Sequence, residues 1–285
     1  MADVCITEYT DPGCPWAYSA EPFRRRLTWL YGDRLEWKVR MVGLATSPDE
    51  YLKKGFTPEK QARAFASIAR DHGMPIDSSV RPRMAATMPA CLAVVAARLH
   101  APEAERPLLR RLRIRHFSGE LLDEPETIHG AARDAGIDPA DLDRWTADAA
   151  VQGALDEDMA LARHPMSAAR VLDAKLANWS GGRRYTCPSY EIVRTSDGVR
   201  IAVPGFQPFA VYDVVTANLV PGVDRREPPQ DVADVLRWTG TPMASKEVAV
   251  LCDTDVFSAR EALVRVARER PVGADGYWSL SDAAI

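Results

Sequence analysis

Nothing in these 285 residues supports a disulfide scaffold, a metal cluster or a membrane span. The five cysteines, at positions 5, 14, 91, 187 and 252, are odd in number, scattered and never in C-x-x-C spacing. The five histidines, at 72, 100, 116, 129 and 164, show no H-E-x-x-H or paired pattern, so no metal is expected. The longest uncharged stretch, Met84 to Ala97, has 14 residues and contains a proline, whereas a spanning helix needs roughly 18. The start of the chain has no basic segment, apolar run or small-residue cleavage site, which predicts a cytoplasmic protein without membrane contact. No charge of one sign dominates: 36 basic residues against 40 acidic give a net −4, with no field to attract nucleic acid or anionic lipid. Gly181-Gly182 lacks the spacing of a nucleotide fingerprint, so no tightly bound cofactor is expected.

What is present is an ordinary globular balance, 46% hydrophobic and 27% charged. Val4 to Thr10 is β-rich and ends at Asp11-Pro12-Gly13. Trp16, Ala20, Phe23, Leu27 and Leu30 then recur at helical spacing up to Gly32, and a second strand pattern covers Leu35 to Val42. The opening therefore reads β-α-β, with a parallel pair. From about 57 to 165 the signals are helical. Thr57-Pro58 and Asp138-Pro139 pair a cap with a first-turn proline, and Gly73 and Gly136 mark stops; four or five helices are expected. Ser189 to Arg194 and Val199 to Val203 flank a Ser196-Asp197-Gly198 turn and predict a hairpin, followed by a helix over about 207–219. Pro221 to Pro229, rich in proline and charge, is the linker candidate. Beyond it, three helical patterns and a hairpin over 227–285 are expected to form a small winged-helix-like domain.

The sharpest chemical signal is Asp11-Pro12-Gly13-Cys14-Pro15-Trp16-Ala17-Tyr18. A cysteine at a strand-to-helix junction meets unpaired N–H groups and the positive end of a helix, which favour thiolate, and Pro15 suits a first helical position. Cys14 is thus the candidate nucleophile, with Pro15, Trp16 and Tyr18 beside it. Cys5 and Cys91 fall on a strand and an apolar helix face and read as inert. Arg110-Arg111-Leu112-Arg113-Ile114-Arg115-His116 reads as a solvated basic face, or as a lid arginine for an anionic substrate.

Cys14-Pro15-Trp16-Ala17 resembles the C-P-W-C motif of DsbA-like thioredoxin-fold oxidoreductases, in particular the FrnE-type branch, with Ala17 in place of the second cysteine. The Cys-Pro-x-x-Tyr pattern is also similar to the Ser-Pro-x-x-Tyr opening of kappa-class glutathione transferases and 2-hydroxychromene-2-carboxylate isomerases. The resemblance implies an α/β thioredoxin fold with a helical insertion over residues 1–220. It also implies a cis proline facing the nucleophile; Tyr185-Thr186-Cys187-Pro188 fits that position, with Thr186 and Pro188 shaping the thiol-binding edge. Cys187 would then lie beside Cys14, where it either resolves a mixed disulfide or merely packs.

Three functions follow. The first is thiol-dependent redox chemistry on a thiol or disulfide substrate, with a low-molecular-weight thiol as cosubstrate because Ala17 cannot resolve the intermediate. The second is a thiol-dependent transferase or isomerase acting on a small molecule. The third is a redox-sensing regulator built on the C-terminal domain. Residues 227–285 carry six basic and ten acidic side chains, which argues against nucleic acid and for an interaction module, a homodimer contact or a cap on the catalytic domain.

Overall fold

The computed structural model describes residues 2–281 apart from Pro221 and Val223. β1 (Val4–Thr10) leads through an Asx turn, in which Gly13 N–H donates to Asp11 Oδ1 at 2.8 Å, into α1 (Pro15–Ser19). The single helix expected over 16–30 is broken at Ala20. There α2 (Glu21–Tyr31) starts afresh with Pro22 in its first turn, where a missing N–H costs nothing. Gly32, at φ +55°, ends α2, and β2 (Leu35–Met41) follows. β1 and β2 pair in parallel as expected.

The insertion holds more helices than expected. After the short α3 (Pro48–Lys53), which the sequence pattern does not reveal, come α4 (Pro58–His72), α5 (Met88–His100), α6 (Glu105–Phe117), α7 (Pro125–Asp134), α8 (Pro139–Thr146) and α9 (Ala149–Ala162). The caps are those the sequence indicates: Thr57 accepts from Lys60 N, Asp138 accepts from Ala140 N, and Gly73 closes α4 in the left-handed region. Val39 and Met41 of β2 pack into an alanine- and leucine-rich core made by α5 to α9.

The chain returns through a 3-10 stretch into a small hairpin, β3 (Leu176–Trp179) and β4 (Gly182–Tyr185), whose turn is Ser180-Gly181. β5 (Ser189–Arg194), β6 (Arg200–Val203) and α10 (Phe209–Leu219) complete the main sheet in the order β2-β1-β5-β6, with β5 antiparallel to both neighbours. The parallel β1–β2 pair and the β5–β6 hairpin are the two pairings that the sequence pattern predicts.

The C-terminal segment runs α11 (Val232–Thr239), β7 (Met243–Ala244), α12 (Ser245–Leu251), α13 (Val256–Val266), β8 (Ala267–Val272) and β9 (Asp275–Leu280), with sheet order β7-β9-β8. Its apolar residues share one core with β1, α2, β5 and α10. The described part of the linker candidate is fastened down. Arg226 N–H donates to Leu30 O, Trp29 Nε1 donates to Glu227 O at 2.7 Å, and Arg225 pairs with Asp213 at 2.8 Å. The β8–β9 turn presses on the insertion so closely that a Cβ on Gly273, at φ +59°, would sit 2.2 Å from Ile76 O.

The basic run on α6 is neither a solvated face nor a lid. Arg110 and Arg113 are buried among Glu8, Glu21 and Glu247: Arg110 meets Glu21 at 3.4 Å, Arg113 meets Glu8 at 3.5 Å, and Arg25 meets Glu247 at 3.0 Å. This network joins β1, α2, α6 and α12. The guanidiniums of Arg110 and Arg113 outweigh burial and hold the Glu21 carboxyl below the usual carboxylate range.

Candidate functional site

Cys14 sits at the N-cap of α1 with extended backbone, and Pro15 occupies the first helical position. Because α1 is a single short turn, the long helix dipole expected from the sequence is replaced by individual N–H groups. Across the sheet edge the Cys187–Pro188 bond is cis, and the Cys14 thiol donates to Cys187 O at 3.2 Å. All five cysteines are free thiols, and Cys14 and Cys187 are each 6% exposed.

The two thiols share their titration. A hydrogen bond from the Cys187 thiol is the largest influence on Cys14 and lowers its pKa. The N–H groups of Ala17 and Trp16 act the same way, against burial and the charge of Asp11. Burial, with the hydrogen bond and charge of Cys14, pushes Cys187 well up. The pair is therefore ordered, with Cys14 giving up its proton before Cys187. The Cys187 carbonyl accepts a hydrogen bond from the Cys14 thiol in the neutral state, and the Cys187 thiol donates one to the Cys14 sulfur in the ionised state.

Asp11 lies beneath the pair, fully buried. It accepts from Gly13 N, from Leu44 N at 2.9 Å, from Thr87 Oγ1 at 2.9 Å and from the Cys91 thiol at 3.4 Å, while burial raises its pKa. Cys91 is buried, as expected, and its thiol is pushed well up by burial and then by Asp11. Cys5 is half-buried rather than buried, and burial raises it; burial also raises Cys252, to about 11.

The remaining sequence candidates divide. Pro15 and Trp16 reach the surface beside Cys14, Trp16 at 43% exposure. Trp16 packs edge-on against His72 at 5.0 Å and Phe206 at 5.7 Å between ring centroids, so an aromatic rim drawn from three elements flanks the nucleophile. Thr186 and Pro188 form the cis loop. Thr186 Oγ1 donates to Lys175 O at 2.9 Å, and Ser189 Oγ links Thr186 O to Gly205 N. Tyr18 faces the interior and takes no part in a substrate surface. It is fully buried, stacks on Phe117 at 4.4 Å and donates to Pro75 O at 3.0 Å, and its hydroxyl meets that of Tyr277 from β9.

Sequence spacing does not reveal His72, Phe206 or Tyr51 of α3. The Tyr51 phenol is pushed up by burial and by the charges of Asp11, Cys14, Cys187 and Cys91, so it lies in the field of this site. These side chains come from the insertion and the loop after β6. Only folding brings them to the cysteines.

Comparison with known proteins agrees with this geometry. A family model described as the DSBA-like thioredoxin domain matches residues 5–166, more than half of the chain. The cytosolic disulfide reductase DsbM from Pseudomonas aeruginosa superposes with a TM-score of 0.54 at 18% identity, over 76% of this chain and 100% of DsbM. A probable DsbA oxidoreductase from Streptomyces coelicolor gives 0.55 at 17%, over 80% of this chain and 93% of its own. Among curated proteins, the ClpXP adapter protein SpxH of Halalkalibacterium halodurans is 23% identical over 268 residues, 92% of this chain and 82% of SpxH. With its thioredoxin sheet, its cysteine at the start of α1 and the facing cis proline, this chain belongs to the DsbA-like thioredoxin-domain family and is thiol–disulfide oxidoreductase-like.

Proposed function

We propose that the chain carries out thiol–disulfide exchange with Cys14 as attacking thiolate and Cys187 as the second thiol, in place of the missing C-x-x-C partner. The observation that carries this reading is the Cys14–Cys187 pair: a nucleophile with lowered pKa held against a thiol with raised pKa. Attack of Cys14 on a disulfide RSSR′ forms Cys14–S–S–R and releases R′S⁻. Cys187, on losing its proton, attacks Cys14 Sγ, forming Cys14–S–S–Cys187 and releasing RS⁻. The substrate disulfide is reduced and the protein dithiol oxidised, and two equivalents of an external thiol restore the pair and are themselves oxidised to a disulfide. Once Cys14 is capped its negative charge is gone, so one of the influences that raise Cys187 disappears when Cys187 must act.

A low-molecular-weight thiol is the cosubstrate this scheme needs, and the cytoplasm, where such thiols keep cysteines reduced, is the compartment that suits it. The test is peptide-resolved alkylation against pH followed by mild oxidation. We expect Cys14 to label well below the pH at which an ordinary thiol reacts, and a Cys14–Cys187 crosslink or small-thiol adduct to appear. Labelling of Cys14 no faster than of Cys252 overturns the reading.

A second reading, a protein-binding adapter, is supported by the SpxH match, which extends over nearly the whole chain including the C-terminal segment. Its element order and its β7-β9-β8 sheet support a winged-helix-like module in that segment. A Cys14→Ser chain that still captures a protein client, together with inert wild-type thiols, favours this reading over exchange.

A further inference from the structure

We infer that Arg163 and Arg184 form a subsite for the carboxylate of the small thiol or disulfide that reacts at Cys14. The inference rests on the exchange reading above and names its substrate class. Arg163 follows α9 and donates through Nη1 to Val42 O at 3.3 Å and to Met159 O at 2.8 Å, with its guanidinium 5.3 Å from the Trp179 ring. Arg184, on β4, donates through Nη1 to Tyr185 O at 2.7 Å. Val42 and Tyr185 belong to the same buried cluster as Cys14 and Cys187, so each guanidinium is tied to the backbone of a residue packed in the cysteine cluster.

Both arginines are half-buried, and among the described residues neither forms an ion pair with a carboxylate, in contrast to Arg110 and Arg113. Arg184 repels Arg163 and its field reaches the Cys187 thiol. The carboxylate whose field reaches Arg163 is Glu50, which is already bound to Lys54 Nζ at 2.7 Å and to Thr46 N at 2.9 Å. Two half-buried cations that repel each other and, among the described residues, form no ion pair are unfavourable in the empty protein and become favourable when a ligand brings the anion. Guanidinium matches carboxylate in shape as well as charge. The ligand class is therefore a small thiol with an acidic group, attacked as its disulfide by Cys14 with release of one equivalent of the free thiol.

The test compares three symmetrical disulfides: 3,3′-dithiodipropionate (two carboxylates), 2-hydroxyethyl disulfide (neutral) and cystamine (two ammoniums). The rate of the Cys14 mixed disulfide is read by peptide mass spectrometry at low salt on the wild-type chain. We expect the carboxylate probe to outpace the neutral one by about tenfold and cystamine to be slowest, with the ranking collapsing at high salt. In R163Q/R184Q the advantage should vanish while the neutral probe keeps its rate, and R184K should retain most of it. Equal wild-type rates for the three probes, or a carboxylate preference that survives in R163Q/R184Q, overturn the inference. Should the double variant fail to fold, the wild-type ranking and its salt dependence decide alone. Labelling by the neutral probe with a flat ranking removes only the subsite, whereas failure of every probe at Cys14 removes the exchange reading and the subsite with it.

Discussion

The seam between α2, α6 and α12 and the pocket around Cys14 both bury ionisable groups, but they treat them in opposite ways. At the seam the carboxylates are matched: Glu247 has Arg25 and Arg110, Glu21 has Arg110 and Arg113, and Glu8 has Arg106 and Arg113. Around Cys14, Asp11 accepts only from neutral donors, and two thiols lean on each other. Matched burial fixes a geometry, whereas unmatched burial leaves proton affinities displaced and chemistry available. The same chain thus separates a cluster of matched charges from a cluster of coupled thiols around an unmatched carboxyl.

The largest effect is expected from unbalancing the seam. Glu247→Ala leaves Arg25 and Arg110 buried with one carboxylate fewer, and should cost about 3–5 kcal/mol in urea unfolding, the usual loss when one partner of a buried pair is removed. A loss below about 1 kcal/mol would show the seam to be no tighter than a surface ion pair.

Acid should act on matched and unmatched groups alike. His116 is buried beside Arg81, and burial with that charge lowers its pKa to about 3. A depressed folded pKa contributes stability that is complete above the unfolded value near 6.5 and lost as pH falls toward 3. The wild-type chain should lose on the order of 3 kcal/mol over that window by thermal or urea unfolding, and His116→Leu should flatten the slope between pH 6.5 and 4.5. Glu21, also depressed, adds its loss only below about pH 4.

A smaller change sharpens the reactive side. Tyr277→Phe removes the hydroxyl that meets Tyr18 but leaves the Tyr18 bond to Pro75 O, so about 1 kcal/mol should be lost. Asp11→Asn should alter stability least and chemistry most selectively. The Asp11 charge raises Cys14, so its removal moves the Cys14 alkylation profile to lower pH; an unchanged profile would mean that the carboxyl is already neutral there.

Much of this was legible in the chain. β1, the turn and Cys14-Pro15 announce themselves by β-branched alternation, Asp-Pro-Gly and a first-turn proline, and the Cys187-Pro188 site follows from the resemblance. What stayed hidden depends on long-range contacts. Trp16, His72 and Phe206 meet from segments more than fifty residues apart, and α3 and β3–β4 are too short for periodicity to register. The α6 basic run misleads because local sequence cannot distinguish an arginine in water from one opposite Glu247. Tyr18 misleads in the same way, since its partner Tyr277 lies 259 residues downstream.

That separation has a consequence for synthesis. The ribosome delivers Cys14 within the first twenty residues, yet β9, which holds the Tyr18 hydroxyl, and α12, which completes the charge seam, are among the last elements to emerge. A growing chain therefore carries Cys14 through most of its elongation without its final support. Contacts this distant are also the slow ones to close. Cys14 is made first and acquires its finished surroundings last, so a protein stalled before residue 277 carries this cysteine without the contacts that the folded protein gives it.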